Sequence, residues 1–372
     1  YQQFDNMMLM KVEGKQPYGV LLLESSEKWK EILATDFADI VANEISKVFS
    51  FLREAQSMRL NESQYRKLYN VTDLFHSTMD IDIILEICKR ERVNIYFPNI
   101  SAEVSLVVER INDFKEAGVI VSTSNLESVN IANNKLQTYK LLEEAGIPVP
   151  KYYGVHSVDD FINGCRYMGY PEKPVCIKIV NGSGSRGVRI IDANKSRYQI
   201  FAHEKPNSFY ASYEDMISIL SEPEQIDEMM LVEYMPGNEY TVDLLADKGN
   251  VLYMVGRENI VSLMSIAQVS VLAPDKQAYK IAEDITKLLS FDGNVGFDFM
   301  RNNNGEAILM DINPRQTATM SVIAAGGVNL PYLRIKQLLG EKLPNCTPRY
   351  GTRLKRRTSE MFTDINGNII DF

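Results

Sequence analysis

Residues 174–190 read PVCIKIVNGSGSRGVRI, an apolar strand running straight into a glycine-rich loop. Alternation along the strand puts Lys178 on the same face as Cys176 and Val180. A cation on such a face calls for an anionic partner. The small residues of 181–187, NGSGSRG, let backbone N–H groups come close to an anion and let the loop move. Two readings stand for these residues alone, a small-residue hairpin turn and a phosphate clamp. Their spacing matches neither a P-loop nor a dinucleotide fingerprint.

With 372 residues the chain exceeds one ordinary core, so two or three packed domains are expected. A net charge of -9 argues against a general nucleic-acid surface, which needs clustered Lys and Arg. Cys88, Cys165, Cys176 and Cys346 lack short metal-ligand or pairing spacing and read as buried thiols of a reducing compartment. No apolar run approaches the roughly 18 residues of a membrane span, and no signal-type core opens the chain. A cytoplasmic protein with no membrane or nucleic-acid partner is the expectation.

Upstream of the opening stretch, 18–23 reads as a buried strand, and helical spacing of apolar residues runs over about 28–60. A helix over 81–90, a strand over 93–97, a helix over about 102–117 and a strand over 119–121 follow. That alternation predicts a mostly parallel, helix-covered sheet. Glu103, at a strand-to-helix junction, reads either as a helix-start residue or as part of a cleft. Another helix opens at Lys135 and stops at Gly146, before Pro148 and Pro150.

Downstream, 231–235 and 239–245 are strands about a Pro236-Gly237 turn, and 251–256 and 265–272 are two more. A helix over 276–289 precedes strands 296–301 and 307–313, which flank Asn302-Asn-Asn-Gly305. A turn centred near Asn304 and Gly305 sets Asp298 opposite Asp311, and alternation puts Asp311, Asn313 and Arg315 on one face. Opposed carboxylates repel unless a cation lies between them, and Asp298, Asp311 and Asn313 form a hard-oxygen set suited to Mg²⁺. A solvent-facing hairpin is the plain alternative. The backbone of Glu233 to Met235 could pair with an adenine edge, with Glu239 accepting from ribose hydroxyls; two ordinary hairpin glutamates fit these residues equally well.

Taken in order, Lys135, Lys178 with GSGSRGV, EYMPGNEYTVD and DINPR make the chain resemble the ATP-grasp superfamily, in the branch of the carbamoyl-phosphate synthetase large subunit. The resemblance spans about 90–340. It implies an α/β and α+β ATP-grasp fold: an N-terminal Rossmann-like parallel-sheet domain over 1–132, a lid region over 133–230, a C-terminal antiparallel-sheet nucleotide and metal domain over 231–345, and an extension over 346–372. By resemblance, Lys135 and Lys178 would contact the phosphates of ATP, and a loop with Ser183, Gly184, Ser185 and Gly187 would close over them. Glu233 and the backbone of Tyr234 and Met235 would read adenine, Tyr234 standing where the family commonly has lysine. Glu239 would hold ribose, and Asp298, Asp311 and Asn313 would hold Mg²⁺ or Mn²⁺. Arg315 would face the transferred phosphate, with Lys178 helping to spread developing charge; Arg257 reads either as a further group stabilising that charge or as an exposed or ion-paired arginine.

The activity implied is an ADP-forming ligase that turns a carboxylate into an acyl phosphate and couples it to an amine. Bicarbonate activation and a catalytically silent nucleotide-binding module are the alternatives. Small-molecule carboxylate and amine substrates are the expected partners, and homodimerisation stays open. The basic run Arg349, Arg353, Lys355, Arg356 and Arg357 reads as a solvated face or as a surface for an acidic partner.

Overall fold

The computed structural model describes residues 2–4, 7–12, 19–24 and 81–357 except Ser183, Ser185, Pro206, Met264 and Ser265, together with Phe362, Asp364, Ile365 and Ile370. The helical periodicity over 28–60 lies outside these residues. The chain divides into two compact units, Tyr1–Asp80 and Ile81–Phe372.

In the first unit, Gln2–Phe4, Met7–Val12 and Gly19–Glu24 form an antiparallel three-stranded sheet in sequence order. The strand expected at 18–23 is present, but its pairing differs from the parallel arrangement that strand-helix alternation suggested. A preceding strand lies only a short connection away, and such a connection can join antiparallel neighbours but cannot make a crossover. Parallel pairing is found in the second unit, between Ile95–Tyr96 and Ile120–Val121.

Helices flank the two strands of that parallel pair in sequence. The helix expected over 102–117 is two, Ser101–Glu109 and Ile111–Glu116, meeting at Arg110. Glu103 stabilises the start of the first, accepting from the backbone N–H of Asn99 at 2.9 Å and Ile100 at 3.1 Å. Leu126–Asn133 leads directly into Lys135–Glu144, and the side chain of the intervening Asn134 caps the second helix by accepting from the Gln137 N–H.

Two further sheets make up the rest, the larger antiparallel and the smaller mixed through the parallel pairing of Arg189–Ile191 with Tyr210–Ala211. The smaller has the strand order Tyr152–Val155, Met229–Glu233, Val175–Ile179, Arg189–Ile191, Tyr210–Ala211. Helices Val158–Met168 and Tyr213–Leu220 bury Phe161, Cys165, Met216 and Leu220 against its Val175, Ile177 and Leu231. Met229–Glu233 pairs on both sides within this sheet. The sequence pattern at 231 therefore marks the middle of the small sheet, and the passage to the larger one comes after Glu233.

The larger sheet runs Ala307–Asn313, Gly293–Arg301, Glu239–Asp247, Asn250–Leu263, Ile266–Leu272, Arg353–Lys355. Tyr240, Val242 and Leu244 point into a core closed by Ala278, Ile281, Ala282 and Ile285 of helix Lys276–Leu288. The C-terminal basic run is partly built into this sheet: Arg353–Lys355 is its edge strand, and Arg356 donates from Nε to the Ala267 carbonyl at 2.9 Å.

Candidate functional site

Register in the last hairpin sets one wall of the site. Arg301 pairs with Ala307, Met300 with Ile308 and Phe299 with Leu309; beyond a bulge the next pair is Asp298 with Asp311. The bulge supplies the residue that moves the two aspartates opposite each other. Its Met310 carbonyl accepts from the buried Tyr139 hydroxyl at 2.9 Å, so a helix from before the small sheet holds the bulge in place.

The charged ends of this hairpin are tied together. Asp298 accepts from Thr241 Oγ1 at 2.8 Å and from Asn313 Nδ2 at 2.8 Å. Asn313 Oδ1 accepts from Arg315 Nη2 at 3.0 Å. Arg315 also donates from Nη1 to the Gln316 carbonyl at 2.9 Å and from Nε to Ser101 Oγ at 3.1 Å. N–H donors remain on both terminal nitrogens of the guanidinium.

A buried polar network continues along the neighbouring strands. Asp243 is fully buried and pairs with Nε of the equally buried Arg257 at 3.0 Å, while Thr317 Oγ1 donates to its other oxygen at 2.7 Å. Arg257 Nη1 donates to Asn259 Oδ1, and Asn259 Nδ2 donates to Thr241 Oγ1 at 3.0 Å. Gly296 makes room: a Cβ there would meet Thr317 Cγ2 at 2.2 Å and Asp243 Oδ1 at 3.3 Å. Thr241, Asp243, Asn259 and Thr317 were not singled out from the sequence. The signal was present in EYTVD, where Glu239, Thr241 and Asp243 make a polar stripe of period two opposite the apolar Tyr240, Val242 and Leu244.

The opposite wall comes from the small sheet. Lys178 is half-buried opposite Met230, and desolvation lowers its pKa despite the carboxylates of Asp311 and Asp298 nearby. It forms no ion pair with a described residue. Lys135 bridges the two walls, donating to the Gly182 carbonyl at 2.7 Å and lying 3.4 Å from Asp311 Oδ1. In the loop, Gly184 and Gly187 have φ of +63° and +69°. A Cβ at Gly187 would lie 2.4 Å from Ile179 Cδ1, so glycine serves both backbone and packing there. Ser183 and Ser185 lie outside the described residues.

These walls enclose a cavity of about 470 Å³ that brings together Lys135, Lys178, Gly184, Glu239, Arg257 and the hairpin's Asp298, Asp311, Asn313 and Arg315. Arg186 of the glycine loop also reaches it, a cation not assigned from the sequence. Glu239 accepts from Ser262 Oγ at 2.8 Å. Glu233, Tyr234 and Met235 stand outside the described lining. The Glu233 carboxylate accepts from the Lys151 N–H at 2.9 Å, which fastens a strand, and Met235 is buried in one cluster with Met300 and Met310, which line the cavity. A second cavity, of about 400 Å³, adjoins the first; Lys135, Gly184, Asp311, Asn313 and Arg315 line both.

The donor chemistry fits a divalent cation. Burial, then the nearby Glu239 and Asp311, push Asp298 up to about 7 against the opposing pull of Arg257. Positive charge beside these hard oxygens would reverse that cost. Among the described residues no group of three His, Cys, Asp or Glu comes together, so the set rests on two carboxylates and the Asn313 amide. The Asn313 oxygen faces Arg315, and a half-turn of the amide would turn it toward Asp298.

A family model described as an ATP-grasp in the biosynthetic pathway with Ter operon matches residues 225–360. The carbamoyl phosphate synthase arginine-specific large chain of Bacillus subtilis is 23% identical over 291 residues, covering 75% of this chain and 26% of that protein. The present chain thus spans about a quarter of that relative's length. Among solved structures, a biotin carboxylase from Campylobacter jejuni in a β-γ-ATP complex superposes with a TM-score of 0.56 at 17% identity, covering 72% of this chain and 59% of that one. The biotin carboxylase domain dimer of the Hydrogenobacter thermophilus 2-oxoglutarate carboxylase, solved with MgADP, ADP and bicarbonate, gives 0.54 at 16% identity, covering 73% and 59%. Among the described residues no helix is long and apolar enough to cross a membrane.

Proposed function

We propose, for a chain that has the ATP-grasp fold and whose sequence relatives are carbamoyl phosphate synthase large chains, an ADP-forming ligase that activates a carboxylate and joins it to an amine. The observation that carries this reading is the main cavity, where two lysines, three arginines, two opposed aspartates and a glycine loop converge. Such a set can hold a polyphosphate and spread the charge of a phosphoryl group in transit.

In this reading Lys178 and Lys135 hold the ATP phosphates while the Ser183 to Gly187 loop covers them. Glu239 takes the ribose, and the backbone of Glu233, Tyr234 and Met235 takes the adenine edge. Asp298, Asp311 and Asn313 would hold Mg²⁺ or Mn²⁺. When bound, the ion would neutralise phosphate charge and orient the transferred group.

Arg315 and Arg257 serve the phosphoryl transfer itself. A carboxylate oxygen of the acid attacks the γ-phosphorus, the bond to the bridging oxygen breaks, and ADP departs. The remaining N–H donors of Arg315 steady the equatorial oxygens, and Arg257, its charge balanced by Asp243, offers its remaining terminal N–H donors to the developing charge. An amine attacks the acyl carbon, phosphate leaves with the C–O bonding pair, and the surplus ammonium proton passes to solvent. Closure of the small sheet keeps water from the acyl phosphate. The lid of this scheme is the region 133–230 and the nucleotide and metal domain is 231–345, the boundary falling within strand Met229–Glu233 of the small sheet.

ADP release measured with Mg-ATP across a panel of carboxylic acids, with and without amines, tests the proposal. Acid-dependent release is expected. Tight Mg-ATP binding that no acid converts into ADP would leave a silent nucleotide-binding module instead. Bicarbonate belongs in the panel as a second reading, favoured by the carbamoyl phosphate synthase relatives. A reducing, cytoplasmic setting accompanies the proposal, supported by the buried free thiols of Cys88, Cys165 and Cys176. Light scattering decides between a monomer and a homodimer.

A further inference from the structure

The second cavity touches the first only along the seam where phosphoryl transfer would take place. Arg315 is the partition: it lines both spaces, and its Nε is anchored on Ser101 Oγ, a residue of the helices that precede the small sheet. Away from the seam the lining changes character. Helix Ser101–Glu109 contributes Ser101 and Ser105, and helix Leu126–Asn133 with its junction contributes Asn130, Asn133 and Asn134.

These are neutral groups that both donate and accept. Asn133 Nδ2 donates to Ser105 Oγ at 2.9 Å, which leaves the serine proton and the Asn133 carbonyl available. Asn134 Oδ1 is engaged by the Gln137 N–H, which leaves its amide protons. Asn130 is exposed and bonds to no described residue, so both its donors and its acceptor remain. Charge is confined to the seam, and hydrogen bonding of both signs lies beyond it.

Resting on the ligase reading above, we infer that this second cavity receives the acid and that Ser105, Asn130 and Asn133 select a small carboxylic acid bearing hydroxyl or amide groups. Its carboxylate lies at Arg315 and its polar body among the serine and asparagine side chains. A site built from hydrogen-bonding groups discriminates because an acid that covers the half-buried Ser105 and Asn133 without a matching group displaces their water and gives no hydrogen bond in return. Ser101 is a positioning residue, acting through Arg315.

The test compares acids of similar size, hydroxylated, amide-bearing, α-amino and plain alkyl, in ADP release and in calorimetric titration of the protein loaded with Mg-ADP. The hydroxylated or amide-bearing acids should lead by about tenfold or more in kcat/KM. Asn130→Leu and Ser105→Val, made singly, should each reduce that preference about tenfold while changing Mg-ATP affinity less than about twofold. Asn130→Gln should restore part of the loss, which separates recognition from a folding defect. An unchanged ranking in both variants, or a plain alkyl or α-amino acid leading in the parent protein, overturns the inference and leaves the ligase reading intact. If no acid yields ADP, the ligase reading fails, and the calorimetric titration still decides the pocket: an acid whose binding Asn130→Leu weakens about tenfold upholds it, and no binding by any acid overturns it.

Discussion

The hairpin of Gly293–Arg301 with Ala307–Asn313 and the hairpin of Val175–Ile179 with Arg189–Ile191 bring charge to the same cavity, but they hold it differently. Every charged end of the first is engaged by protein: Asp298 by Thr241 and Asn313, Asp311 by Lys135, Arg315 by Asn313 and Ser101. Behind it the Asp243–Arg257 pair is buried and satisfied. Lys178 of the second hairpin is desolvated and forms no ion pair with a described residue. One wall is arranged before a ligand arrives, and the other holds a cation whose partner the ligand must supply. Substitutions in the first wall should therefore affect geometry and stability, whereas those in the second should affect ligand binding almost alone.

The largest effect is expected at the rigid wall. Asp311→Ala should lower acid-dependent ADP release about a thousandfold at saturating Mg-ATP. An undiminished rate would break the comparison at its strongest point, since the hairpin would then be architecture only. Asp243→Ala should cost about 3 kcal/mol in urea unfolding, because it strands Arg257 as an unpaired buried charge. A loss within experimental error would show that water or rearrangement satisfies Arg257.

Lys178→Ala should weaken Mg-ATP binding or its turnover about a hundredfold, with the urea midpoint of the ligand-free protein unchanged or raised. A clear loss of stability would sharpen the contrast the other way, making Lys178 part of the folded framework. The smallest effect concerns Asp298 in metal-free protein. Its value of about 7 lies above the ordinary 3.8, so its contribution to stability is full below the ordinary value and is lost as pH rises through about 7. Relative to the parent, Asp298→Asn should gain about 2 kcal/mol in stability between pH 5 and pH 8, followed by chemical denaturation with a chelator present. Parallel pH profiles would refute the burial-driven shift.

The facing of Asp298 and Asp311 was legible from a turn signal and alternation, yet the detail that secures it was not. The pairs next to the turn would leave the aspartates out of step, and a bulge restores them. That bulge depends on Tyr139, distant in sequence, capturing the Met310 carbonyl. The Pro-Gly turn and the strand before it make Glu233 legible as a nucleoside-site residue, whereas the hydrogen bond by which its carboxylate fastens the backbone of Lys151 is a contact no local pattern announces. Asp243 was legible in principle through the polar stripe of EYTVD; its partner Arg257 lies across a strand pair and could not be matched by spacing alone.

By itself the sequence determined the local units: which segments alternate as strands, where Asn134 caps a helix and glycines turn the chain, and which short runs bring lysine, carboxylates and arginine together. These units arise from backbone sterics and side-chain period, which act over a few residues. Only the tertiary structure decided that Met229–Glu233 belongs inside the small sheet, that Arg257 is pinned on Asp243, and that Ser101 anchors Arg315 between two cavities. Such partners are chosen by burial, because a polar group removed from water must be matched by whatever the packed chain brings within reach.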